Sequence, residues 1–453
     1  MLSTRAALWR DRSLRFALGG GATIVTAVFA VARNKWLAEH LSTPGLGVLA
    51  QVFSAQTWLG TAAGLGLSLP VAQAVSAATA AGDRHALRRT VWTALTLAGT
   101  AALGIAVLGL LFAPAVSQLL LGTGAHAGLL RIAMLGVAGL ALQAVAGGVF
   151  AGRSDVGAPL MLALAGGVVA VGTTMALVPR AGLAGGAIGA AVLVASGLVA
   201  ACGWRRREIG AMLAPPPHPR LDPAVARTLL RVGLAALTLA LIDQGTLLAL
   251  RAHYLRVHGV PANGLLQAAL ALAQQVSGAF MTYLAGYAFG RISGAGGAAG
   301  IRDYTRRQWA PLVALALIAF ALAMILASPL IALFYSDRFT PARPLMAWAL
   351  FAEFCRVMTQ VWGLGALPLA GLRVWMPIGL AGPAAFVPAY VGLAPVAGAL
   401  ALPYAAVLAA LAQLAVTGVL MSRRGVTLRA GDAALLAVAL AGLALLARAV
   451  AGG

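Results

Sequence analysis

The stretch Gly47-Val48-Leu49-Ala50-Gln51 is repeated about 216 residues later as Gly264-Leu265-Leu266-Gln267. Further matching pairs follow in the same order and at nearly the same spacing. An internal repeat in a very apolar chain predicts two helical bundles around a central site, an arrangement found in many transporters. The further pairs are Trp92 with Trp309, Pro114 with Pro329, Gly152 with Gly371, Pro159 with Pro377, and Pro179-Arg180-Ala181-Gly182 with Pro395-Val396-Ala397-Gly398.

The composition is that of a membrane protein. Of the 453 residues, 61% are hydrophobic and 9% are charged, whereas a soluble protein carries about 25% charged residues. The net charge of +21 arises from 32 Lys and Arg against 11 Asp and Glu. These charges stand in short clusters between long apolar runs rather than on one basic face, which argues against a nucleic-acid partner.

Apolar segments of about 20 residues recur along the chain and predict transmembrane helices. We expect an all-α polytopic membrane protein with two six-helix bundles, related by a pseudo-two-fold repeat, plus one extra C-terminal transmembrane helix. Segment 46–80 is too long for one straight span, and its Gly60, Gly64, Gly66 and Pro70 predict a bend or break. The predicted spans are 15–38, 46–80, 88–112, 128–151, 156–178, 182–204, 225–250, 262–290, 307–335, 342–370, 373–394, 396–421 and 432–450.

Residues 205–224 form the predicted cytoplasmic linker between the halves. Arg205-Arg206-Arg207 ends the sixth span, and Pro215-Pro216-Pro217 prevents a continuous helix. The predicted domains are therefore the N-terminal bundle 1–204, the linker 205–224, the C-terminal bundle 225–421 and the extra helix in 422–453. With the N-terminus in the cytoplasm, 22 of the 32 Lys and Arg lie on the cytoplasmic side and 9 on the other, as the positive-inside rule requires.

Signatures of catalysis are missing from the sequence. It contains no GxxxxGK[ST] phosphate loop, no HExxH, no CxxC and no GxSxG. We therefore predict no cofactor, no metal and no catalytic residue. The motifs Gly148-x-x-x-Gly152 and Gly185-x-x-x-Gly189 instead predict close packing of helices through small residues.

Ionisable side chains inside the predicted spans are the main functional candidates. A charge at mid-bilayer costs on the order of 3 kcal/mol, so it usually faces a partner or a water-filled cavity. Asp243 lies in the middle of the seventh span, and Glu353 and Arg356 lie three residues apart on one face of the tenth. Two interpretations of the Glu353–Arg356 pair stay open: a neutralised pair that locks helices, or a cavity group that binds an anion or takes up a proton.

Comparison of the two repeats shows that these mid-membrane charges occur in the second half and not at the corresponding positions of the first. By the local offset of 219, Glu353 corresponds to Met134 and Arg356 to Val137. The scaffold is duplicated, but the mid-membrane charges are not, so the second half is where we expect function.

Basic residues also flank predicted spans on the side that is poor in Lys and Arg. Arg33 and Lys35 end the first span, Arg131 begins the fourth, and Arg251 and Arg256 follow the seventh. They either extend to the membrane interface or line the outer part of a cationic cavity. Amides inside the spans either recognise sugars or bond neighbouring helices. The polar cavity candidates are Gln56, Gln143, Gln244, Gln275 and Gln360.

Four local patterns carry a family resemblance: Ala32-Arg33-Asn34-Lys35-Trp36-Leu37 followed by Gly45-Leu46-Gly47, Gly64-Leu65-Gly66-Leu67-Ser68-Leu69-Pro70-Val71-Ala72, Ala80-Ala81-Gly82-Asp83 before Arg88-Arg89, and Pro179-Arg180-Ala181-Gly182-Leu183-Ala184-Gly185. With the two six-helix halves, they resemble the multidrug/oligosaccharidyl-lipid/polysaccharide exporter superfamily, and within it the polysaccharide-transporter branch of Wzx-type O-antigen and exopolysaccharide repeat-unit flippases. The likeness covers about residues 15–421, so the extra C-terminal span lies outside it.

The resemblance implies a flippase rather than an enzyme. Its substrate would be an oligosaccharide repeat unit on a polyprenyl diphosphate, moved by alternating access from the cytoplasmic to the periplasmic leaflet of the bacterial cytoplasmic (inner) membrane. Arg356, Arg33, Lys35 and Arg131 are then candidates for binding the anionic headgroup, and Asp243 and Glu353 for ion or proton coupling. The implied partners are the lipid-linked oligosaccharide, the lipid bilayer and the polysaccharide polymerase machinery of lipopolysaccharide or exopolysaccharide assembly.

Three other functions stay open. A cation-coupled multidrug exporter of the same superfamily would favour an acidic or aromatic cavity. A lipid II flippase of the superfamily usually has fourteen spans. A membrane-embedded polysaccharide-assembly enzyme usually places catalytic groups on a sizeable extramembrane loop, and no predicted loop here exceeds about 25 residues.

Overall fold

Long apolar helices joined by short turns make up the protein. The computed structural model describes residues 25–153, 155, 157–204, 206–207, 210, 221–284, 288 and 298–452, and this part of the chain contains no β-strand. The start of the first predicted span and most of the predicted linker lie outside these residues. The helices are α1 (25–40), α2 (Thr43–Ala63), α3 (Ser68–Ala80), α4 (Arg84–Leu111), α5 (Ala113–Leu121), α6 (Ala127–Gly152), α7 (Gly157–Ala181), α8 (Leu183–Trp204), α9 (Pro223–Tyr283), α10 (Ala298–Ile325), α11 (Ala327–Phe334), α12 (Arg343–Gly363), α13 (Ala366–Ala370), α14 (Leu372–Ala397), α15 (Ala401–Arg423) and α16 (Ala430–Gly452).

Length and apolar composition make many of these helices able to cross a membrane. Among the described residues, eight helical stretches pass this test, or nine when the bent pair α2–α3 counts as one span. Two of the eight are 61 and 52 residues long. At about 1.5 Å per residue each exceeds twice the ~30 Å hydrocarbon core, so each is long enough for two crossings. The predicted class, an all-α polytopic membrane protein with two helical halves and a further C-terminal helix, is confirmed.

Helix α9 differs from the sequence prediction. Residues 251–261 were expected to form a loop between the seventh and eighth spans, but the helix continues through Arg251 and His258 and breaks only at Gly259 (φ 85°, ψ 170°). Glycine tolerates this positive φ, and Pro261 follows it without donating a hydrogen bond. The charged residues that suggested a loop therefore lie on a helix.

The expected bend in segment 46–80 is confirmed. The axes of α2 and α3 differ by 43° across a short break, where Leu65 and Gly66 both have positive φ. A Cβ on Gly233 of α9 would lie 2.7 Å from the Leu65 carbonyl oxygen. The bend therefore depends on close backbone contact with a glycine of α9.

Two compact units make up the chain. One contains the described residues up to Leu41 together with Leu49–Gly245, and the other contains Ser42–Val48 with the residues from Thr246 onward. In the first, α6 packs on α3, α4 and α8, and α7 pairs with α8. In the second, α12 packs on α10, α15 and α16, and α14 pairs with α15. The domain limits drawn at 204 and 225 stay a prediction.

Close glycine contacts hold the first unit together. A Cβ on Gly148 would lie 2.6 Å from the carbonyl oxygen of Ser68, and one on Gly152 would lie 2.6 Å from that of Ala72. The face of α6 that carries these glycines therefore meets the α3 backbone directly. The packing predicted from Gly148-x-x-x-Gly152 is confirmed.

The extra C-terminal helix is an integral part of the second unit. Its apolar side buries Leu436, Ala439 and Leu443, and it packs on α10 and α12. The indole Nε1 of Trp309, a fully buried residue of α10, donates to the carbonyl oxygen of Asp432 at 3.3 Å. Hydrogen bonding fixes the start of α16, and apolar burial fixes the rest.

The start of α9 is tied to α4 by an ion pair. The Arg89 guanidinium contacts the Asp222 carboxylate, which also accepts from the amides of Ala224 and Val225 as an N-cap. The Arg89 hydrogen bond, followed by that of Val225, holds the pKa of Asp222 below its usual range.

Candidate functional site

Helix α12 is the most deeply packed element of the second unit, and it carries the predicted pair. Pro344 stands in its first turn, where a missing amide hydrogen is tolerated. Edge-to-face contacts of Phe354 with Phe320 and of Trp348 with Tyr404 fix its position. Residues on several sides of the helix are buried, so a charged side chain here is placed by rigid surroundings.

Glu353 and Arg356 form the expected ion pair on this helix. Their Oε1 and Nη1 atoms lie 3.4 Å apart. The Arg356 side chain is 28% exposed and the Glu353 side chain 10%. The carboxylate is therefore buried while the guanidinium remains accessible, so the pair presents a cation and can bind an anion beside a fixed counter-charge.

The other three cationic candidates belong to the first unit. Arg33 lies in α1 with its guanidinium carbon 5.7 Å from the ring centre of Phe53, a cation–π contact. Lys35 is half-buried on the same helix, and Arg131 is exposed in the first turns of α6. Arg356 lies in the second unit. Neither unit therefore contains all four cationic candidates.

The two acidic candidates are also in different units. Asp243 is exposed on the N-terminal part of α9, in the first unit, and Glu353 is buried in the second. Glu353 has a cationic partner in place. The two acids do not belong to one cluster within either unit.

The amide candidates are scattered, and one of them has a clear packing role. The Gln244 side-chain oxygen accepts from the Thr61 hydroxyl at 3.1 Å, which bonds α9 to α2. Gln56 is buried beneath Gly136 of α6. The other three differ in exposure: Gln143 is half-buried, and Gln275 and Gln360 are exposed.

Sequence reasoning missed a buried polar cluster in the second unit. Arg251 is 3% exposed, and its Nη2 donates to the Asn263 side-chain oxygen at 3.3 Å. The Asn263 amide in turn donates to the Gly47 carbonyl oxygen at 2.9 Å. Arg251 was placed in a loop after the seventh span, where it was expected either to extend to the membrane interface or to line a cationic cavity. An asparagine within an apolar run was the available signal.

This cluster lies where the two repeated stretches contact each other. A Cβ on Gly47 would lie 2.9 Å from the Gly264 amide nitrogen, and these glycines head the two repeated stretches. In this cluster the Arg251 and Asn263 side chains bond to each other, and Asn263 bonds to the backbone of α2, so the cluster joins α9 to α2.

A second missed contact joins α9 to α14. The Nδ1 atom of His253 lies 3.0 Å from the Tyr390 hydroxyl, and the two rings meet edge to face. Among the described residues, no three His, Cys, Asp or Glu side chains come together as a possible metal site. The described groups can bind anions and exchange protons.

Comparison with known proteins identifies the fold. No protein-family model and no curated protein matches the sequence. The inward-facing conformation of a multidrug resistance MATE family transporter of the MOP superfamily matches with a TM-score of 0.70 at 14% identity, covering 88% of this chain and 95% of that one.

Two further solved structures also match the fold of this chain. The MATE transporter ClbM in complex with Rb⁺ matches with a TM-score of 0.63 at 18% identity, over 93% of this chain and 95% of that one. A MOP superfamily transporter from Pyrococcus furiosus, whose reversed binding-pocket polarity is described as suggesting a different function, matches with a TM-score of 0.62 at 14% identity, over 93% and 96%. The chain therefore has the fold of the MATE transporters of the MOP superfamily, and its placement in the polysaccharide-transporter branch stays a prediction.

Proposed function

We propose that the protein moves an anionic lipid-linked oligosaccharide, an O-antigen or exopolysaccharide repeat unit on a polyprenyl diphosphate, across the membrane by alternating access. The observation that carries this proposal is the Glu353–Arg356 pair, in which the Arg356 side chain is 28% exposed and the Glu353 side chain 10%. A site for an anion needs an accessible cation, whereas a site for a cationic drug needs an accessible acid.

The chemistry of arginine fits the diphosphate. A guanidinium stays ionised in apolar surroundings and can donate two parallel hydrogen bonds to phosphate oxygens. The buried Glu353 carboxylate holds the Arg356 side chain in place and so reduces the conformational entropy lost on binding. We assign Arg356 as the first headgroup ligand, with Arg33, Lys35 and Arg131 as further cations along the path.

The fold is compatible with such a substrate. Alternating access by movement of two helical halves is the expected mechanism for a repeat-built membrane transporter. A neighbour of the same fold is described as having a pocket of reversed polarity, so the polarity of the pocket varies among proteins of this fold. The proposed setting is the bacterial inner membrane, with a cytoplasmic N-terminus and polysaccharide polymerase machinery nearby.

A second candidate function is export of cationic compounds driven by an ion. It is favoured by the exposed Asp243 carboxylate on α9 and by neighbours described as a multidrug resistance transporter and as a complex with Rb⁺. In this case Asp243, rather than Arg356, would contact the substrate.

The test is transport in proteoliposomes with two substrates, a short-chain polyprenyl diphosphate oligosaccharide and the cationic dye ethidium. Arg356→Ala is expected to lower the affinity for the oligosaccharide about tenfold to a hundredfold, because a hydrogen bond to a charged group contributes about 1.5–3 kcal/mol. Arg356→Lys should keep part of the activity, since the charge remains but the paired donors are lost.

Arg373→Ala is the matched control. Arg373 is an exposed arginine at the start of α14 in the same unit, and its removal should leave transport near normal. Full oligosaccharide transport by a well-folded Arg356→Ala variant would refute the headgroup role. Ethidium transport that depends on Asp243, without oligosaccharide transport, would establish the second candidate instead.

A further inference from the structure

His253 places a protonatable ring against a buried hydroxyl. It lies on α9, six residues before the break at Gly259, and its Nδ1 is 3.0 Å from the hydroxyl of Tyr390 on α14. The ring centres are 5.6 Å apart at 87°. Tyr390 is 3% exposed, whereas His253 is exposed. The imidazole therefore lies at the protein surface, and protonation of its ring would act on a contact between two helices.

A second buried hydroxyl lies beside this contact. Tyr254 is fully buried with its ring 4.6 Å from that of His258. Its hydroxyl has no hydrogen-bond partner among the described residues, which is uncommon for a buried polar atom. Tyr254 and Tyr390 are therefore two buried tyrosines of the same unit, one next to His253 along α9 and the other in contact with its ring.

The charged residues nearest to His253 along its own helix are cationic. On its own helix, Arg251 is two residues before it and Arg256 three residues after it, with Tyr254 and His258 as the other titratable groups. On α14, which contributes Tyr390, the one charged residue is Arg373 near the other end, and on α15, which packs on α14, it is Arg423. Neither α14 nor α15 contains an acid that could pair with an imidazolium.

We propose that His253 is the proton-binding group of the transport cycle, with Tyr390 as its switching partner, an inference that rests on the proposed transport function. In the neutral state the Tyr390 hydroxyl donates to Nδ1. When a proton from solvent binds Nδ1, this nitrogen becomes a donor and the Tyr390 oxygen accepts. The Tyr390 hydrogen is then released from the imidazole. One proton is taken up and no other bond is made or broken.

Proton uptake changes the α9–α14 contact in two ways. The direction of the His253–Tyr390 hydrogen bond reverses, and a new positive charge appears on the surface of α9. This change acts on α9 just before Gly259, where the described part of the helix has a non-helical backbone. The two acids are less suited to this role, because Glu353 is already paired with Arg356 and Asp243 belongs to the other unit.

The experiment combines a substrate-free titration with a transport assay. Histidine in the protein is labelled with ¹⁵N, and the nuclear magnetic resonance signals of the protein in lipid nanodiscs are followed between about pH 5 and 8, where imidazoles titrate. The signal lost in His253→Gln should change with pH, and Tyr390→Phe should alter that pH response. In proteoliposomes, the transport rate of the wild type should change over the same range, and His253→Gln should abolish that change.

His40→Gln is the matched control. His40 is likewise exposed with its Nδ1 3.0 Å from a polar oxygen, the Trp36 carbonyl, but it belongs to the first unit, whereas Tyr390 belongs to the second. Transport by His40→Gln should keep the wild-type pH dependence. A wild-type pH dependence in His253→Gln, or a His253 signal that is unaffected by Tyr390→Phe, would overturn the proposal. Titration as expected in a wild type that moves no oligosaccharide would instead refute the proposed substrate and leave the proton site standing.

Discussion

Helices α6 and α12 occupy equivalent places in the two units but are built differently. Each is packed on three helices of its own unit. In α6 the positions equivalent to Glu353 and Arg356 are Met134 and Val137, which are 2% and 0% exposed. The first unit shows that this helix packs with apolar side chains at both positions. The charges in the second unit are therefore additions to a scaffold that does not need them.

The means of packing differ as well. Helix α6 meets α3 through Gly148 and Gly152, where backbone touches backbone. Helix α12 meets its neighbours through aromatic side chains, including Phe354 and Trp348. At these contacts α6 relies on small residues and α12 on large ones, so the same type of substitution should have opposite consequences in the two helices.

The largest stability effect is expected for Gly148→Leu. A Cβ there would lie 2.6 Å from the Ser68 carbonyl oxygen, a backbone atom that cannot swing away. Overpacking of this kind costs about 1–3 kcal/mol or more, so the thermal midpoint of the purified protein should fall markedly. Gly147→Leu is the control, because a Cβ on Gly147 has no neighbour within 4 Å. Equal midpoints for the two variants would contradict the glycine-packed interface.

A smaller effect is expected for Trp309→Phe. It removes the hydrogen bond from the indole to the Asp432 carbonyl while keeping an aromatic ring, at a cost of about 1 kcal/mol. Hydrogen exchange at the start of α16 should accelerate. Trp348→Phe is the control, because the buried Trp348 Nε1 has no hydrogen-bond partner among the described residues. If hydrogen exchange in α16 stayed at the wild-type rate, α16 would be held by apolar packing alone.

Much of the fold follows from the sequence because its signals are local. Apolar length predicted the helices, glycines and a proline predicted the bend after α2, and an offset of 219 aligned α6 with α12. The same local reasoning failed at 251–258, where charged residues suggested a loop but the helix continues to Gly259. Charge alone does not end a helix; the positive φ at Gly259 does.

The candidate site was only partly predictable. Glu353 and Arg356 were found because their spacing puts them on one helix face, and the structure pairs them. The contacts of Arg251 with Asn263 and of His253 with Tyr390 depend on how distant segments meet, and the second of these spans 137 residues. Such contacts leave no spacing pattern in a single chain.

The most direct test of the difference between α6 and α12 is to give α12 the residues of α6. In the double variant Glu353→Met with Arg356→Val, thermal unfolding and oligosaccharide transport are measured on the same preparation. Replacing a buried ion pair by apolar side chains is often neutral or stabilising by about 1–4 kcal/mol. We predict an unchanged or higher thermal midpoint together with loss of transport. A variant that unfolds readily, or one that is stable and transports normally, would contradict the claim that these charges serve function and not the fold.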